Sequence, residues 1–212
     1  TITDDIGALL KASLNGALDE QNPSLPRKTG SYKDFCEWVL QQVESDQLND
    51  VSEFWLKIVA ECQEGDLEIP IDNPDGSNLE KDAQRVFFTF DEKTTQQLIT
   101  MVSQQNDLTI NDLLAIALVN TVSKWSCHSK VLLDVANQGR PEDCDVDLSR
   151  TVGWFGAGFP ALIEVDDYSQ AESVKAVKEQ LAAMLKLGMG LRWIQQLNSD
   201  QNLVENLGKV AM

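Results

Sequence analysis

The stretch VDLSRTVGWFGAGFPALIEV, residues 146–165, places the strongest constraint on the fold. Its second half is a β-compatible apolar run, and we predict a strand over 151–165. Gly153, Gly156 and Gly158 interrupt that strand. Glycine weakens the interior of a strand and usually marks a bulge or a close approach of another group to the backbone. We therefore expect another group to approach the backbone of this stretch.

Around this strand, long helical patterns alternate with short β-compatible runs. We predict helices over 1–18, 32–43, 49–62, 94–103, 109–125 and 171–187, strands over 85–90, 130–136 and 151–165, and a weakly structured tail that begins with GMGLRW. Strands that are interleaved with long helices indicate a fold of α/β layers.

Two of the helices carry a specific expectation. Ser31 should cap the second helix, with Asp34 at the reciprocal position of a capping box. Residues 109–125 are apolar nearly all round, so this helix should be buried on most sides. The side chains that we expect to face inward on the middle helices are Phe35, Trp38, Val39, Val43, Val51, Phe54, Trp55, Ile58, Val59, Leu98, Met101 and Val102.

Composition excludes several classes of partner. The chain has 212 residues, of which 42% are hydrophobic and 24% charged, as is ordinary for a globular protein. Its net charge of −17 argues against nucleic acid, because phosphate recognition needs a basic face, and against an anionic membrane surface. No apolar run approaches the roughly 20 residues that span a bilayer. The first residue is Thr1, and we expect the chain to be a piece of a longer one.

The residues themselves provide no complete catalytic apparatus. A general base near neutral pH is most often histidine, and His128 is the one histidine of the chain. It follows a predicted helix end, so we expect it to have a surface or capping role. Cys36, Cys62, Cys127 and Cys144 lie too far apart for a zinc knuckle or a redox pair. We expect no metal site, reduced thiols and a cytoplasmic protein.

The end of the strand over 130–136 is the more informative place. Gln138, Gly139 and Arg140 lie just beyond its last residue, and ligand crevices of open α/β sheets lie at the carboxyl ends of strands. An arginine there could hold a carboxylate through its fixed fork of donors. An ordinary surface turn is the interpretation that composition alone favours, and the residues leave both interpretations open.

Four segments in order resemble a known family. They are LPRKTGSYKDFCEWV (25–39), LTINDLLAIALVNTVSKW (108–125), VDLSRTVGWFGAGFP (146–160) and SVKAVKEQLAAMLKLGMGLRW (173–193). Together they resemble the later part of a condensation-superfamily domain of nonribosomal peptide synthetases, and most closely its epimerization-type branch. The third segment is the most specific of the four, and the similarity extends over essentially the whole chain.

The resemblance implies a fold like that of chloramphenicol acetyltransferase, in which two α/β lobes enclose a tunnel that holds the catalytic histidine. The histidine motif of the family, H-H-x-x-x-D-G, would lie upstream, so no catalytic residue is expected in this chain. Residues 1–62 would be connecting helices and 63–212 the C-terminal lobe. The implied partners are the N-terminal lobe and peptidyl carrier proteins, whose 4′-phosphopantetheine arm enters the tunnel.

The resemblance also assigns roles to individual residues. Gly139 and Arg140 would support the active site, with Arg140 paired to the aspartate of the upstream motif. If that is its main partner, Arg140→Ala should be nearly silent in this chain alone. The tunnel would be lined by Gln138, Gly153, Trp154, Phe155 and Gly156. Without the other lobe, Trp154, Phe155 and parts of the first helix should be exposed.

One departure from the family pattern concerns the reaction. The epimerization branch carries Glu-x-His-Gly-Arg at the strand end, and its glutamate moves the α-proton. Here Ala136 and Gln138 replace the glutamate and the histidine. Because a methyl group cannot carry a proton, we expect amide-bond formation in the intact domain. An epimerization-type fragment and a non-catalytic module that only binds carrier proteins are the alternatives.

Overall fold

The computed structural model describes residues 1–19, 25–65, 67–77, 79–141, 143–165 and 170–209, except for 105–107. Its elements in order are α1 (Ile2–Leu14), α2 (Tyr32–Glu44), α3 (Asn49–Glu64), α4 (Glu92–Gln104), α5 (Ile110–Ser126), β1 (Lys130–Gln138), β2 (Gly156–Glu164), α6 (Gln170–Leu197) and α7 (Gln201–Leu207). Short 3₁₀ turns lie at Asp46–Leu48 and Glu80–Asp82. Helices and a small sheet together confirm the predicted α/β class.

The chain divides into two compact units. The first comprises Thr1–Val59, Val135–Phe159 and Leu187–Met212. The second comprises Ala60–Asp134 and Pro160–Lys186. Both units are therefore built from segments that are distant in sequence.

The sheet is an antiparallel pair, β1 and β2, with a single register. The N–H of Gly139 donates to the carbonyl of Phe155 (3.3 Å), and the N–H of Val165 donates to the carbonyl of Ser129 (2.6 Å). The two pairing points are equally far apart on both strands, so no residue is inserted between them. The glycines of β2 therefore do not mark a bulge.

This register explains how β2 tolerates a proline. Hydrogen-bonded and non-hydrogen-bonded pairs alternate along an antiparallel ladder. Because Gly139 and Phe155 form a hydrogen-bonded pair, Pro160 falls opposite Asp134 at a position where the N–H would point away from β1. The missing N–H of the proline therefore costs the ladder no hydrogen bond. The strand predicted over 151–165 is confirmed only from Gly156 onward.

The core of the first unit forms around α2. Its capping box is confirmed: the N–H of Asp34 donates to Ser31 Oγ (3.1 Å), and the N–H of Ser31 donates to Asp34 Oδ2 (2.7 Å). The hydrogen bond from the Ser31 N–H is the largest cause that lowers the pKa of the Asp34 carboxyl. The cap fixes the start of a helix whose buried side chains pack with the chain around β2. That cluster consists of Phe35, Trp38, Val39, Leu148 and Phe155, and Trp193 packs against it.

Helix α6 does not end where the sequence predicted. GMGLRW was expected to begin a weakly structured tail, but α6 continues through it to Leu197 and is followed by α7. Packing explains the two glycines. A Cβ on Gly188 would lie 2.1 Å from the ring of Phe159, and a Cβ on Gly190 would lie 2.9 Å from Val51 Cγ1. Glycine here lets the helix approach its neighbours closely.

Two predictions for the second unit are wrong. The segment Arg85–Phe90 alternates like a strand but has no regular structure, and it pairs with neither strand of the described sheet. Helix α5 buries Ile116 and Val119, whereas Leu114 and Leu118 are about half exposed. An apolar side chain is buried only where another element packs against it, and α5 packs against α4 on one face.

Three of the residues that we expected to face inward do not meet the prediction fully. Met101 is exposed on α4, and Leu98 on α4 and Phe54 on α3 are only partly buried. The side chain of Val102 lies outside the described part of the structure.

An ion pair lies in the same unit as α4. Lys130 Nζ contacts Glu61 Oε2 (2.7 Å), and this hydrogen bond raises the pKa of Lys130.

Helix α1 is amphipathic in sequence, yet none of its residues is buried. Ile2, Ile6, Leu10 and Leu14 follow one another at four-residue spacing and are all more than half exposed. Trp154 is also exposed, at 76%, whereas Phe155 is buried, at 8%. The predicted exposure is therefore confirmed for α1 and Trp154 and wrong for Phe155. None of the described helices is long and apolar enough to cross a membrane.

Gly188→Ala should destabilise the chain. Its new methyl group would meet the fully buried ring of Phe159, and overpacking of a core costs about 1–3 kcal/mol. Gly7→Ala is the matched control, because Gly7 lies in α1 with nothing within 4 Å of a Cβ. Alanine is the better helix former there by about 1 kcal/mol, so this variant should lose nothing. Urea unfolding measures both, and equal stability of the two variants would contradict the packing role of Gly188.

The exposed face of α1 should bind a hydrophobic fluorescent dye and promote self-association at high concentration, since large exposed apolar patches favour association. Leu10→Ser should reduce both effects, while Lys11→Ala on the same helix should leave them intact. Dye fluorescence and sedimentation velocity measure the two effects. A dye-silent monomer of the unmodified chain would refute this expectation.

Candidate functional site

The carboxyl end of β1 lies beside the beginning of β2. In the observed register Ala136 is opposite Gly158, and Gly139 is opposite Phe155. Opposite residues share a sheet face, so the methyl group of Ala136 has a glycine as its neighbour across the strands. This end of the sheet therefore presents almost no side-chain bulk beside Ala136. The side chain of Gln138, a predicted tunnel residue, lies outside the described part of the structure.

Arg140 is held locally, immediately after β1. Its Nη2 donates to the backbone carbonyl of Thr151 (2.8 Å). Its guanidinium carbon lies 4.8 Å from the centroid of the Phe155 ring, within the range of a cation–π contact. These contacts change the expectation for Arg140→Ala, because its removal should now cost stability in this chain as well. The pairing with an upstream aspartate stays a prediction.

Gly139 is a different case from Arg140. A Cβ at Gly139 would have nothing within 4 Å, and its backbone φ is not in the left-handed region. The contribution of Gly139 is its N–H, which donates to Phe155. Any residue other than proline could provide that bond.

The group that approaches the glycine-rich stretch is a tyrosine. A Cβ on Gly153 would lie 2.3 Å from Tyr32 Cδ2, so the absence of a side chain at Gly153 makes room for the ring. The Tyr32 hydroxyl donates to the carbonyl of Trp154 (2.9 Å), and the ring packs edge-on against Phe155 (5.4 Å between centroids). The start of α2 thus fixes the backbone on which the exposed indole of Trp154 is presented.

A groove of about 540 Å³ runs along this region. Three of the predicted tunnel residues, Trp154, Phe155 and Gly156, line it together. The remaining lining residues come from α2, β2 and the end of α6 and are Tyr32, Phe35, Cys36, Val39, Leu40, Ala157, Gly158, Met189, Arg192, Trp193, Gln196 and Leu197. Gly153, Gly139 and Arg140 lie next to the groove in the chain and do not line it. We call this the Trp154 groove.

Arg192 is the cationic side chain of the Trp154 groove. Its Nε donates to the carbonyl of Gly158, and its Nη1 donates to Gln195 Oε1 (3.0 Å). The Gly158 carbonyl is available because residues opposite Ala136 form a non-hydrogen-bonded pair with β1. Sequence reasoning missed Arg192, Trp193 and Met189, because it ended the helix before them. The signal that could have found them is their spacing, which continues the helical pattern of α6.

The remaining candidates for chemistry lie elsewhere. His128 follows Cys127, the left-handed cap residue of α5 (φ 60°), and its carbonyl accepts a hydrogen bond from Ser123 Oγ (2.7 Å). Cys36 lies exposed on the groove, and burial raises the pKa of the Cys62 and Cys144 thiols. Across the described residues, no cluster of His, Cys, Asp and Glu has a geometry that could hold a metal ion.

Gly153→Ala should disturb the groove, because the new methyl group would displace the Tyr32 ring and break its hydrogen bond to Trp154. Because Tyr32 is partly exposed, we expect mainly the loss of that hydrogen bond, about 0.5–1.5 kcal/mol in unfolding free energy, and a shift in tryptophan fluorescence. Gly139→Ala is the matched control and should change neither, since a Cβ there meets nothing. If both variants behaved alike, the close approach of Tyr32 would not be the reason for a glycine at 153.

Comparison with known proteins agrees with this fold. The chain matches the epimerization domain from the third module of tyrocidine synthetase B with a TM-score of 0.77 and 23% identity, over 94% of this chain and 45% of that one. At this identity the match establishes the fold, and it confirms the predicted architecture like that of chloramphenicol acetyltransferase.

Sequence relatives are peptide synthetase subunits. Linear gramicidin synthase subunits D and B of Brevibacillus parabrevis are 30% and 32% identical over 90% and 86% of this chain. Surfactin synthase subunit 2 of Bacillus subtilis is 31% identical over 81%. This chain spans 4%, 4% and 5% of the length of those three proteins. Residues 10–207 match the family model of the condensation domain. The chain belongs to the condensation-domain family.

Proposed function

We propose that this chain is the C-terminal part of a condensation-type domain of a nonribosomal peptide synthetase, which acts on aminoacyl and peptidyl thioesters tethered to carrier proteins. The observation that carries the proposal is the family match over residues 10–207. In this proposal residues 1–62 are the connecting helices and 63–212 form the C-terminal lobe, in a cytoplasmic enzyme. The catalytic H-H-x-x-x-D-G motif belongs to the N-terminal lobe, so this chain alone is inactive.

The reaction that we propose for the intact domain is amide-bond formation. The amine of one carrier-bound amino acid attacks the thioester carbonyl of another, a C–N bond forms, and the C–S bond breaks. The amine proton leaves through the histidine of the upstream motif, and the thiol of the donor's phosphopantetheine is released. This chain contributes binding and orientation. Arg140 supports the active-site loop of the other lobe.

The choice of amide-bond formation rests on Ala136. Moving an α-proton requires a side chain that can accept and return it, and the methyl group of Ala136 cannot. Epimerization is the second candidate, because the chain shares its fold with an epimerization domain. A third candidate, from a different class, is a module that binds carrier proteins without catalysis, which would apply if the upstream motif were degenerate.

The Trp154 groove suits a phosphopantetheine arm, which is linear and joins its hydroxyl and two amides through short hydrocarbon segments. The volume of about 540 Å³ and the aromatic walls of Trp154 and Tyr32 fit its apolar parts. The outward-facing N–H and carbonyl of Gly156 and the N–H of Gly158 provide donors and an acceptor for amides, while the Gly158 carbonyl accepts from Arg192. The arm would bring the thioester to the reaction, while these residues hold and orient it. The partners are thus the N-terminal lobe and peptidyl carrier proteins.

The test compares this chain with a longer polypeptide from the same gene that includes the preceding lobe. Each is mixed with a donor and an acceptor carrier protein loaded with different amino acids, in D₂O. Mass spectrometry of the released phosphopantetheine species reports dipeptide formation and deuterium at Cα. We expect dipeptide without deuterium exchange from the longer polypeptide and neither product from the 212-residue chain.

The other outcomes separate the alternatives. Deuterium at Cα without dipeptide would assign epimerization despite Ala136. Binding of carrier proteins without either product would assign a non-catalytic module. Dipeptide from the 212-residue chain alone would refute the assignment of catalysis to the other lobe.

A further inference from the structure

Thr151 is the one polar residue that is buried in the part of the chain that the structure describes, with an exposed fraction of 7%. Each of its polar groups has a partner. Its N–H donates to the Leu148 carbonyl (3.0 Å), its hydroxyl donates to the Gly30 carbonyl (2.5 Å), and its carbonyl accepts from Arg140 Nη2 (2.8 Å). Buried polar groups persist when they are satisfied in this way, and they then fix their surroundings.

The segment Thr29–Gly30 holds the other side of Thr151. The N–H of Gly30 donates to the Asp147 carbonyl (2.9 Å), and Thr29 Oγ1 accepts from the N–H of Arg150 (3.2 Å). Gly30 has no room for a side chain, since a Cβ would lie 2.3 Å from Val146 Cγ1. The Thr29–Gly30 segment lies just before the capping box of α2, and its hydrogen bonds therefore hold the 146–151 loop in place.

Thr151 connects the Thr29–Gly30 segment to Arg140. The hydroxyl of Thr151 ties its peptide to Gly30, and the carbonyl of the same residue is the acceptor for the guanidinium. Phe155 supports the guanidinium from its face. The acceptor and the ring together restrict the direction in which the remaining donors of the arginine fork can point.

We propose that Thr151 is a positioning residue that fixes the orientation of the Arg140 guanidinium. This inference rests on the proposed function, in which Arg140 supports the active-site loop of the other lobe. Loss of the Thr151 hydroxyl loosens the Thr151 carbonyl, and the guanidinium then samples several orientations. The role requires a hydroxyl at position 151 and not merely a side chain of that volume.

Three variants of this chain separate the hydroxyl from the volume. Thr151→Val keeps the shape and removes the hydroxyl, and Thr151→Ser keeps the hydroxyl. Thr121→Val is the control, because the Thr121 hydroxyl also donates to a carbonyl, that of Ala117 (2.6 Å), within the distant helix α5. The readout is the NMR spectrum of ¹⁵N-arginine side chains at low temperature, in which Arg140→Lys identifies the Arg140 signals.

A guanidinium that donates to a fixed acceptor rotates slowly and shows separate Nη signals. We expect separate Arg140 signals in the unmodified chain, in Thr151→Ser and in Thr121→Val, and one averaged signal in Thr151→Val. Unchanged Arg140 signals in Thr151→Val, or averaged signals in the unmodified chain, overturn the proposal. If Thr151→Val does not fold, Thr151→Ala replaces it, because its comparison with Thr151→Ser also isolates the hydroxyl, and the expected and contradicting results stay the same.

A second experiment measures dipeptide formation by the longer polypeptide. In the longer polypeptide, Thr151→Val should lower kcat for dipeptide formation with little change in KM, and Thr151→Ser should restore it. One outcome is that the spectra behave as expected while neither the unmodified longer polypeptide nor any variant forms dipeptide. In that case the proposed function fails, and the orientation of Arg140 by Thr151 stands. If dipeptide forms equally well with Thr151→Val, the positioning role is refuted and the proposed function stands.

Discussion

The antiparallel pairing of β1 and β2 in a single register is the constraint on which the site depends. It sets Gly139 opposite Phe155 and Ala136 opposite Gly158, and it turns the Gly158 carbonyl outward toward Arg192. Because the side-chain period of a strand is two, a slip of one residue would move every side chain to the other face. The position of Pro160 agrees with this register, since its missing N–H points away from β1.

Two contacts connect the start of α2 to this end of the sheet. Tyr32 occupies the space above Gly153 and holds the Trp154 carbonyl, which leaves the indole exposed at the rim of the groove. Thr151 joins the segment before α2 to the carbonyl that accepts Arg140. The start of α2 therefore controls both the groove and the arginine. In the function that we propose, this chain binds and orients a tethered substrate while another lobe supplies the histidine.

Local signals predicted local structure well. The capping box at Ser31 and the apolar spacing of α2 and α3 depend on neighbours in sequence, and they were confirmed. The errors arose where a distant partner decides the outcome. Gly188 and Gly190 indicated a helix end, yet they allow close packing on Phe159 and Val51. Arg85–Phe90 has the alternation of a strand but no described pairing partner. A third of the residues that line the Trp154 groove were missed for the same reason, because they lie on the part of α6 that continues past Gly188.

The register can be tested directly by NMR on the chain itself. The two Cα atoms of a non-hydrogen-bonded antiparallel pair lie about 4.5 Å apart, which gives a strong contact between their Hα protons. In this register we expect a strong nuclear Overhauser effect between the Hα protons of Ala136 and Gly158. A contact of Ala136 Hα with Ala157 or Phe159 instead would place β1 one residue out of register. That result would contradict the positions assigned here to Ala136 and Arg140.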